Sequence, residues 1–109
     1  MPFAFGSAQL GAAAQAVLRQ MVGDFPRDAR ITIAGRTDST GPGVVNDALA
    51  LARAQAVRDH LVRVRPELAP ALTLDAQGSC CFTASNETAA GRARNRRVDV
   101  IAEHAASPH

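Results

Sequence analysis

Apolar positions recur along the chain at two spacings, and the spacings divide it into elements. Residues 3–5, Phe-Ala-Phe, are a short apolar start and predict an edge strand. Gly6-Ser7 punctuates it, and Ser7 is a favoured helix N-cap. Leu10, Ala14, Val17, Leu18 and Met21 then fall at helical spacing and predict a first helix over residues 8–22, ended by Gly23, Asp24 and Pro26. Residues 30–35, Arg-Ile-Thr-Ile-Ala-Gly, alternate with β-branched side chains and predict a second strand. Residues 37–43 crowd Asp, Ser, Thr, Gly and Pro into a loop. A second helix runs from Pro42 or Gly43 to Val64, closed by Pro66. Residues 72–76 predict a third strand, 78–84 an irregular loop, 86–94 a short helix capped by Ser85 or Asn86, and 98–102 a fourth strand. Residues 103–109 read as a flexible tail behind one domain over 1–102.

The order β-α-β-α-β-(α)-β predicts an α+β fold, a two-layer sandwich with helices on a mixed four-stranded sheet. The long helical crossover lets the second and third strands pair in parallel. The fourth strand, reached through a loop and a short helix, runs antiparallel to a neighbour.

Composition narrows the function. At 109 residues the chain is one domain, which excludes a two-domain enzyme and a repeat array. Apolar residues at 47% and charged residues at 20% are globular proportions, and 23 alanines make the core one of small side chains. Four Phe with no Trp and no Tyr speak against a base-stacking platform for single-stranded nucleic acid. All 12 basic residues are arginine, which excludes a lysine-dependent P-loop or Schiff-base enzyme and favours planar two-donor recognition. A net charge of +2 is too small to imply a nucleic-acid partner. Residues 1–18 are uncharged, but too polar and short for a membrane span, and they lack the basic start of a signal peptide. Any targeting or anchoring segment is therefore expected outside this sequence.

Motifs for catalysis are absent: neither GxSxG nor HExxH occurs. The expectation is a non-enzyme without cofactor. His60 reads as a partly exposed structural histidine. Cys80 and Cys81 are adjacent, have no metal-ligand spacing and read as two thiols. Arg92, Arg94, Arg96 and Arg97 lie within six residues; they read as a nucleic-acid patch or as a solvated helix end.

The informative stretch is Gly35-Arg36-Thr37-Asp38-Ser39-Thr40-Gly41 and the helix after it. Asp38 stands just past a strand's carboxyl end, where such folds place ligands, and it also suits an Asx-turn. The second helix has an apolar stripe of Val45, Leu49, Ala52, Ala56, Val57, Leu61 and Val64, and Arg53 projects inside it. Asn46 falls within roughly 20° of Arg53 on the wheel, two turns earlier, whereas Asp47, Arg58 and Arg65 cluster on the opposite face. An arginine on an apolar face needs a partner. Two readings stay open. Arg53 and Asp38 form a structural ion pair, or they flank a pocket for a zwitterion, with Asp38 taking an ammonium and Arg53 a carboxylate.

These residues also carry a family resemblance. Phe5-Gly6-Ser7-Ala8-Gln9-Leu10, the run from Ile31 through Gly41, Asn46, Leu49, the run Leu51-Ala52-Arg53-Ala54-Gln55-Ala56-Val57, and the run from Gly91 to Val100 together resemble the OmpA-like peptidoglycan-binding domain over about residues 3–102. The resemblance implies a periplasmic module of a Gram-negative bacterium that binds the peptidoglycan stem peptide without covalent chemistry. It would tether an outer- or inner-membrane protein to the wall; the alternatives are a scaffold or dimerisation domain of the same fold that has lost ligand binding, and an arginine-rich nucleic-acid-binding module. It implies meso-diaminopimelate as the ligand centre, held by Asp38 and Arg53. Asn46, Leu49, Val57 and Arg96 would line or support the groove, with Thr37, Thr40 and Gly41 in the binding loop. The expected partners are the stem peptide and a parent envelope protein joined through a segment outside this sequence, with a homodimer as a further assembly and no nucleic acid. In an oxidising periplasm Cys80 and Cys81 could also join in a vicinal disulfide.

Overall fold

The structure, a computed structural model, describes residues 1–26, 28–78 and 80–104. The elements are α1 (Ala12–Val22), β1 (Ala29–Gly35), α2 (Gly43–Val64), a 3₁₀ segment (Pro66–Ala71), β2 (Leu72–Ala76), α3 (Ala89–Asn95) and β3 (Val98–His104). The strands form one mixed sheet in the order β2-β1-β3. β1 runs parallel to β2, with Ile31 opposite Leu72 and Gly35 opposite Ala76. It runs antiparallel to β3, with Ala29 opposite His104 and Gly35 opposite Val98. The α+β class and both pairing directions are those the sequence predicts.

The alternation in β1 sets the layers. Ile31 and Ile33 point into the core while Arg30 between strand neighbours is exposed. α2 packs against β1 and β2, and α1 packs against α2. The approach of α2 is close because its contact positions are Ala50 and Ala54, and because Gly35 has no side chain. A Cβ at Gly35 would overlap the Ala50 carbonyl and come within 3.2 Å of Ala54 Cβ. Phe3, Leu18, Val22, Ile31, Ile33, Val57, Leu61, Leu68 and Val98 fill the core. None of the described helices is long and apolar enough to cross a membrane.

Several boundaries differ from the sequence reading, each for a local reason. Among the described residues the sheet has three strands, not four. Residues 3–5 do not form a strand. Phe3 N donates to Arg96 O at 2.8 Å and Val98 N to Met1 O at 2.9 Å, leaving a single antiparallel bridge between Pro2 and Arg97. Pro2 has no N–H to extend a ladder, and Gly6 at φ +65° turns the chain away. α1 starts at Ala12 behind Gly11, not at residue 8. The Ser7 hydroxyl accepts from Gln9 N at 3.0 Å, so it caps a tight turn and not the helix. Thr88, not Ser85 or Asn86, caps α3, its hydroxyl accepting from Gly91 N at 2.9 Å.

The buried face of α2 comprises Asn46, Ala50, Arg53, Ala54, Val57, His60 and Leu61. The predicted stripe is rotated from it: Val45 and Val64 are exposed. His60 is buried, not partly exposed. β3 includes Glu103 and His104, paired with Arg30 and Ala29, where the sequence starts its tail; residues 105–109 lie outside the described residues. Cys80 and Cys81 form a disulfide; the residues alone predict two thiols, and the vicinal disulfide is the alternative that the family resemblance adds.

Candidate ligand-binding site

β1 ends at Gly35, and the chain leaves the sheet through a loop fastened at both sides. The Arg36 guanidinium reaches across the strand ends, donating to Gly35 O and Asp75 O at 2.9 Å each and pairing with Asp75 Oδ2 at 3.0 Å. Thr37 is buried and its hydroxyl donates to Asp38 O at 2.8 Å. Asp38 is only 3% exposed. Its Oδ1 accepts from Thr40 N at 2.8 Å, the Asx-turn suggested by the loop composition, and its Oδ2 pairs with Arg96 Nη1 at 3.0 Å. Burial favours the protonated acid, but the Thr40 amide and Arg96 outweigh it and hold the carboxyl below its ordinary range. Asp38 is thus a carboxylate at neutral pH. Gly41 turns the loop with φ +89°, a conformation glycine adopts freely, and delivers it to α2.

Arg53 is buried, and its partners are not the one predicted. Nε donates to Ser7 O at 2.8 Å, Nη1 to Arg36 O at 3.0 Å and Nη2 to Ala4 O at 3.0 Å. Its Cζ lies 5.4 Å from the Phe3 ring centroid. The predicted Asp38–Arg53 ion pair is therefore absent among the described contacts, and Arg96 takes that place. Three carbonyls of the chain already satisfy Arg53, whereas Arg96 comes from the α3–β3 junction, where its Nε also donates to Phe3 O at 3.1 Å. A guanidinium has five N–H donors. Arg53 spends three on carbonyls and retains one on each Nη. Burial first, and the Arg96 charge next, pull Arg53 down to about 10 while Asp38 acts in the opposite sense; it stays cationic at neutral pH.

These groups converge on a cavity of about 140 Å³ between the loop, α2 and the N-terminal turn. Eight of the nine predicted site residues line it: Thr37, Asp38, Thr40, Gly41, Asn46, Leu49, Arg53 and Arg96. Val57 does not; it is fully buried in the core one turn further along α2. Phe5, Gly6 and Val45 also line the cavity and were assigned elsewhere from sequence, Phe5 to a strand and Val45 to the core stripe. Their signal is exposure: Phe5 is 68% exposed and Val45 56%, so the cavity has an apolar rim above a charged floor. Two guanidiniums against one carboxylate leave the lining with a net positive charge.

A wider depression of about 780 Å³ opens beside the N-terminal end of α2, between Gly43, Asp47, Leu51, Gln77, Gly78 and Cys80. Its one charged side chain among the described residues, Asp47, has Oδ1 occupied by the Gly78 amide at 2.9 Å. It lacks converging charges of opposite sign. The arginine cluster disperses into the fold: Arg92 donates to Asn86 O, Arg96 holds Asp38, and Arg97 bonds Asp99 and the Cys81 carbonyl.

The model of the OmpA family matches residues 2–96. The chain belongs to the OmpA family. This OmpA domain is 43% identical over 74 residues to the peptidoglycan-binding protein ArfA of Mycobacterium tuberculosis, which covers 68% of the chain and 22% of ArfA. It is 37% identical over 87 residues to outer membrane porin F of Pseudomonas fluorescens, covering 79% of the chain and 26% of the porin. The domain thus spans about a quarter of the length of these curated relatives. Among solved structures, the peptidoglycan-associated lipoprotein of Burkholderia pseudomallei superposes with a TM-score of 0.77 at 28% identity, over 94% of this chain and 87% of that one. The cell wall anchor of the T6SS of Pseudomonas aeruginosa gives 0.76 at 29%, over 90% and 71%. The C-terminal domain of Helicobacter pylori MotB shares the fold, with a TM-score of 0.81 at 24% identity over 97% and 86%.

Proposed function

We propose that this OmpA domain binds peptidoglycan without covalent chemistry, by capturing the meso-diaminopimelate of a stem peptide in the cavity between Asp38 and Arg53. The observation that carries the reading is the convergence of one buried carboxylate and two guanidiniums on a single small cavity. A zwitterionic amino-acid end has the complementary charges. Its ammonium donates to the Asp38 carboxylate, which retains acceptor capacity beside its Thr40 and Arg96 bonds. Its carboxylate takes the spare Nη–H of Arg53, with the net positive lining in its favour. Asn46 and the amides near Gly41 set the orientation. The site is preformed because β1, α2 and the Arg36 clamp hold its walls. The name and similarity of ArfA support the same ligand polymer. The domain would act in the periplasm, as the part of a longer envelope protein that fastens it to the wall.

Co-sedimentation with isolated diaminopimelate-type sacculi tests this. Wild type is expected to pellet. Asp38→Asn should stay largely in solution, because losing a hydrogen bond to a charged group costs about 1.5–3 kcal/mol, or roughly 10–100-fold. Arg58→Ala should pellet as wild type does, since among the described residues Arg58 bonds only its neighbour Asp59. Equal pelleting of Asp38→Asn and wild type would refute the assignment.

A further inference from the structure

The 140 Å³ cavity is too small for a whole peptide ligand. A cavity of roughly 150 Å³ takes a molecule of about six heavy atoms, and an ammonium, a Cα and a carboxylate already amount to five. The remainder of any ligand must leave by the mouth. One side of that mouth is continuous with a second trough of about 500 Å³, because Phe5, Thr40 and Arg96 line both. The far wall of the trough is Asn86, Ala89 and Arg92. Arg92 lies in the last turn of α3 and Arg96 caps that helix, its N–H donating to Arg92 O at 3.1 Å, so the two side chains leave the same end of the element.

The charges in this trough are unbalanced. Its lining includes two guanidiniums and no carboxylate. Arg92 uses one N–H, on Asn86 O at 2.9 Å, and Arg96 uses two, on Phe3 O and Asp38. Both therefore have N–H donors in hand. Asn86 is held in place from two sides, its Oδ1 accepting from Asn95 Nδ2 at 2.9 Å and from Ser39 N at 3.3 Å. It ties the loop after β1 to the α3 side of the trough. The two cavities together carry Arg53, Arg92 and Arg96 against Asp38.

We propose that this trough is a second, anionic subsite, in which Arg92 and Arg96 hold another carboxylate of the same peptide whose amino-acid end fills the first cavity. The inference rests on the function proposed above. It makes Arg92 a specificity residue: peptides with that carboxylate free are preferred over peptides in which it is an amide. The planar fork of arginine suits a carboxylate and gives an amide a poorer fit.

Calorimetric titration of the wild-type domain and variants with three probes tests it. The probes are free meso-diaminopimelate, a diaminopimelate-containing stem peptide with its other side-branch carboxylate free, and the same peptide with that carboxylate amidated. Wild type is expected to bind the free-carboxylate peptide about tenfold more tightly than the amide, the scale of one charged hydrogen bond in a partly open site. Arg92→Gln should bind both peptides alike while binding free diaminopimelate as wild type does, which also reports an intact fold. Arg94→Gln removes the same charge from an exposed arginine that lines neither cavity, and it should keep the tenfold preference. A wild-type domain that binds diaminopimelate but does not distinguish the peptides overturns the subsite alone. So does an Arg92→Gln variant that keeps the preference. Failure of wild type to bind diaminopimelate overturns the first-cavity reading, and the subsite with it.

Discussion

Arg53→Ala should damage the domain before it damages binding. The guanidinium joins α2 to two segments: Arg36 just past the end of β1, and Ala4 and Ser7 in the N-terminal turn. The Arg36 bond is buried, and truncation leaves that carbonyl without a partner at about 1.5–3 kcal/mol. The Ala4 and Ser7 bonds are only partly buried, so water can replace the donor at roughly 0.5–1 kcal/mol each. The Phe3 contact adds about 0.5–1 kcal/mol. Relief of the cost of burying a cation offsets part of this. The net loss should be about 2–4 kcal/mol, a large share of the roughly 5–15 kcal/mol that stabilises a domain of this size. Urea unfolding followed by far-UV circular dichroism measures it, because the chain has no Trp to report by fluorescence. Arg53→Lys keeps the charge but not the three-way fork, and should lie between Ala and wild type. A loss below about 1 kcal/mol for Arg53→Ala would refute the claim that this side chain holds the N-terminal turn over the cavity.

Three further outcomes follow from the same contacts. The Asp38 carboxyl titrates below its unfolded value, so its contribution is present above about pH 4 and is lost as pH falls through the folded value; urea stability at pH 6 and pH 3 should converge in Asp38→Asn relative to wild type. Burial, then Arg63 and Arg19, lower the His60 value, partly opposed by its contact with Gln15, and Nε2 has no hydrogen-bond partner among the described residues. The unfolded chain therefore takes up a proton first, and stability should fall as pH drops below about 6.5; His60→Phe should flatten that slope in a stability–pH series. Gly35→Ala places a methyl against the Ala50 carbonyl and should cost about 1–3 kcal/mol of unfolding free energy, read by the urea midpoint.

What was legible in the sequence was local and periodic. Ile31 and Ile33 alternate because one face of β1 is covered, and Pro42-Gly43 opens α2 as helix-start chemistry predicts. Arg53 stood out because a cation fell on an apolar helix face, and Asp38 because it followed a strand end. Both line the cavity. The pairing between them was not legible. Arg96 lies 58 residues from Asp38, and no spacing rule connects them. Arg53 instead found backbone carbonyls, which every residue carries and no side-chain pattern marks. The same blindness hid Asn95, fully buried, whose Oδ1 accepts from Thr83 N and Ala84 N and whose Nδ2 donates to Ala84 O and Asn86 Oδ1. The N-terminal segment was misread because its apolar residues do two jobs. Phe3 enters the core, whereas Phe5, two residues on, stays exposed at the rim of the cavity. Alternation alone does not distinguish a strand from a segment that pairs once and turns at Gly6.

On the function proposed above, the ligand sits in the cavity between Asp38 and Arg53. Amide and arginine side-chain NMR of the labelled domain, titrated with free meso-diaminopimelate, addresses it directly. The predicted result is saturable shifts at Thr40, Gly41, Asn46 and the Arg53 Nε–H. Shifts confined to Asp47, Gln77 and Gly78 around the wider depression, or no shifts at saturating ligand, would contradict it.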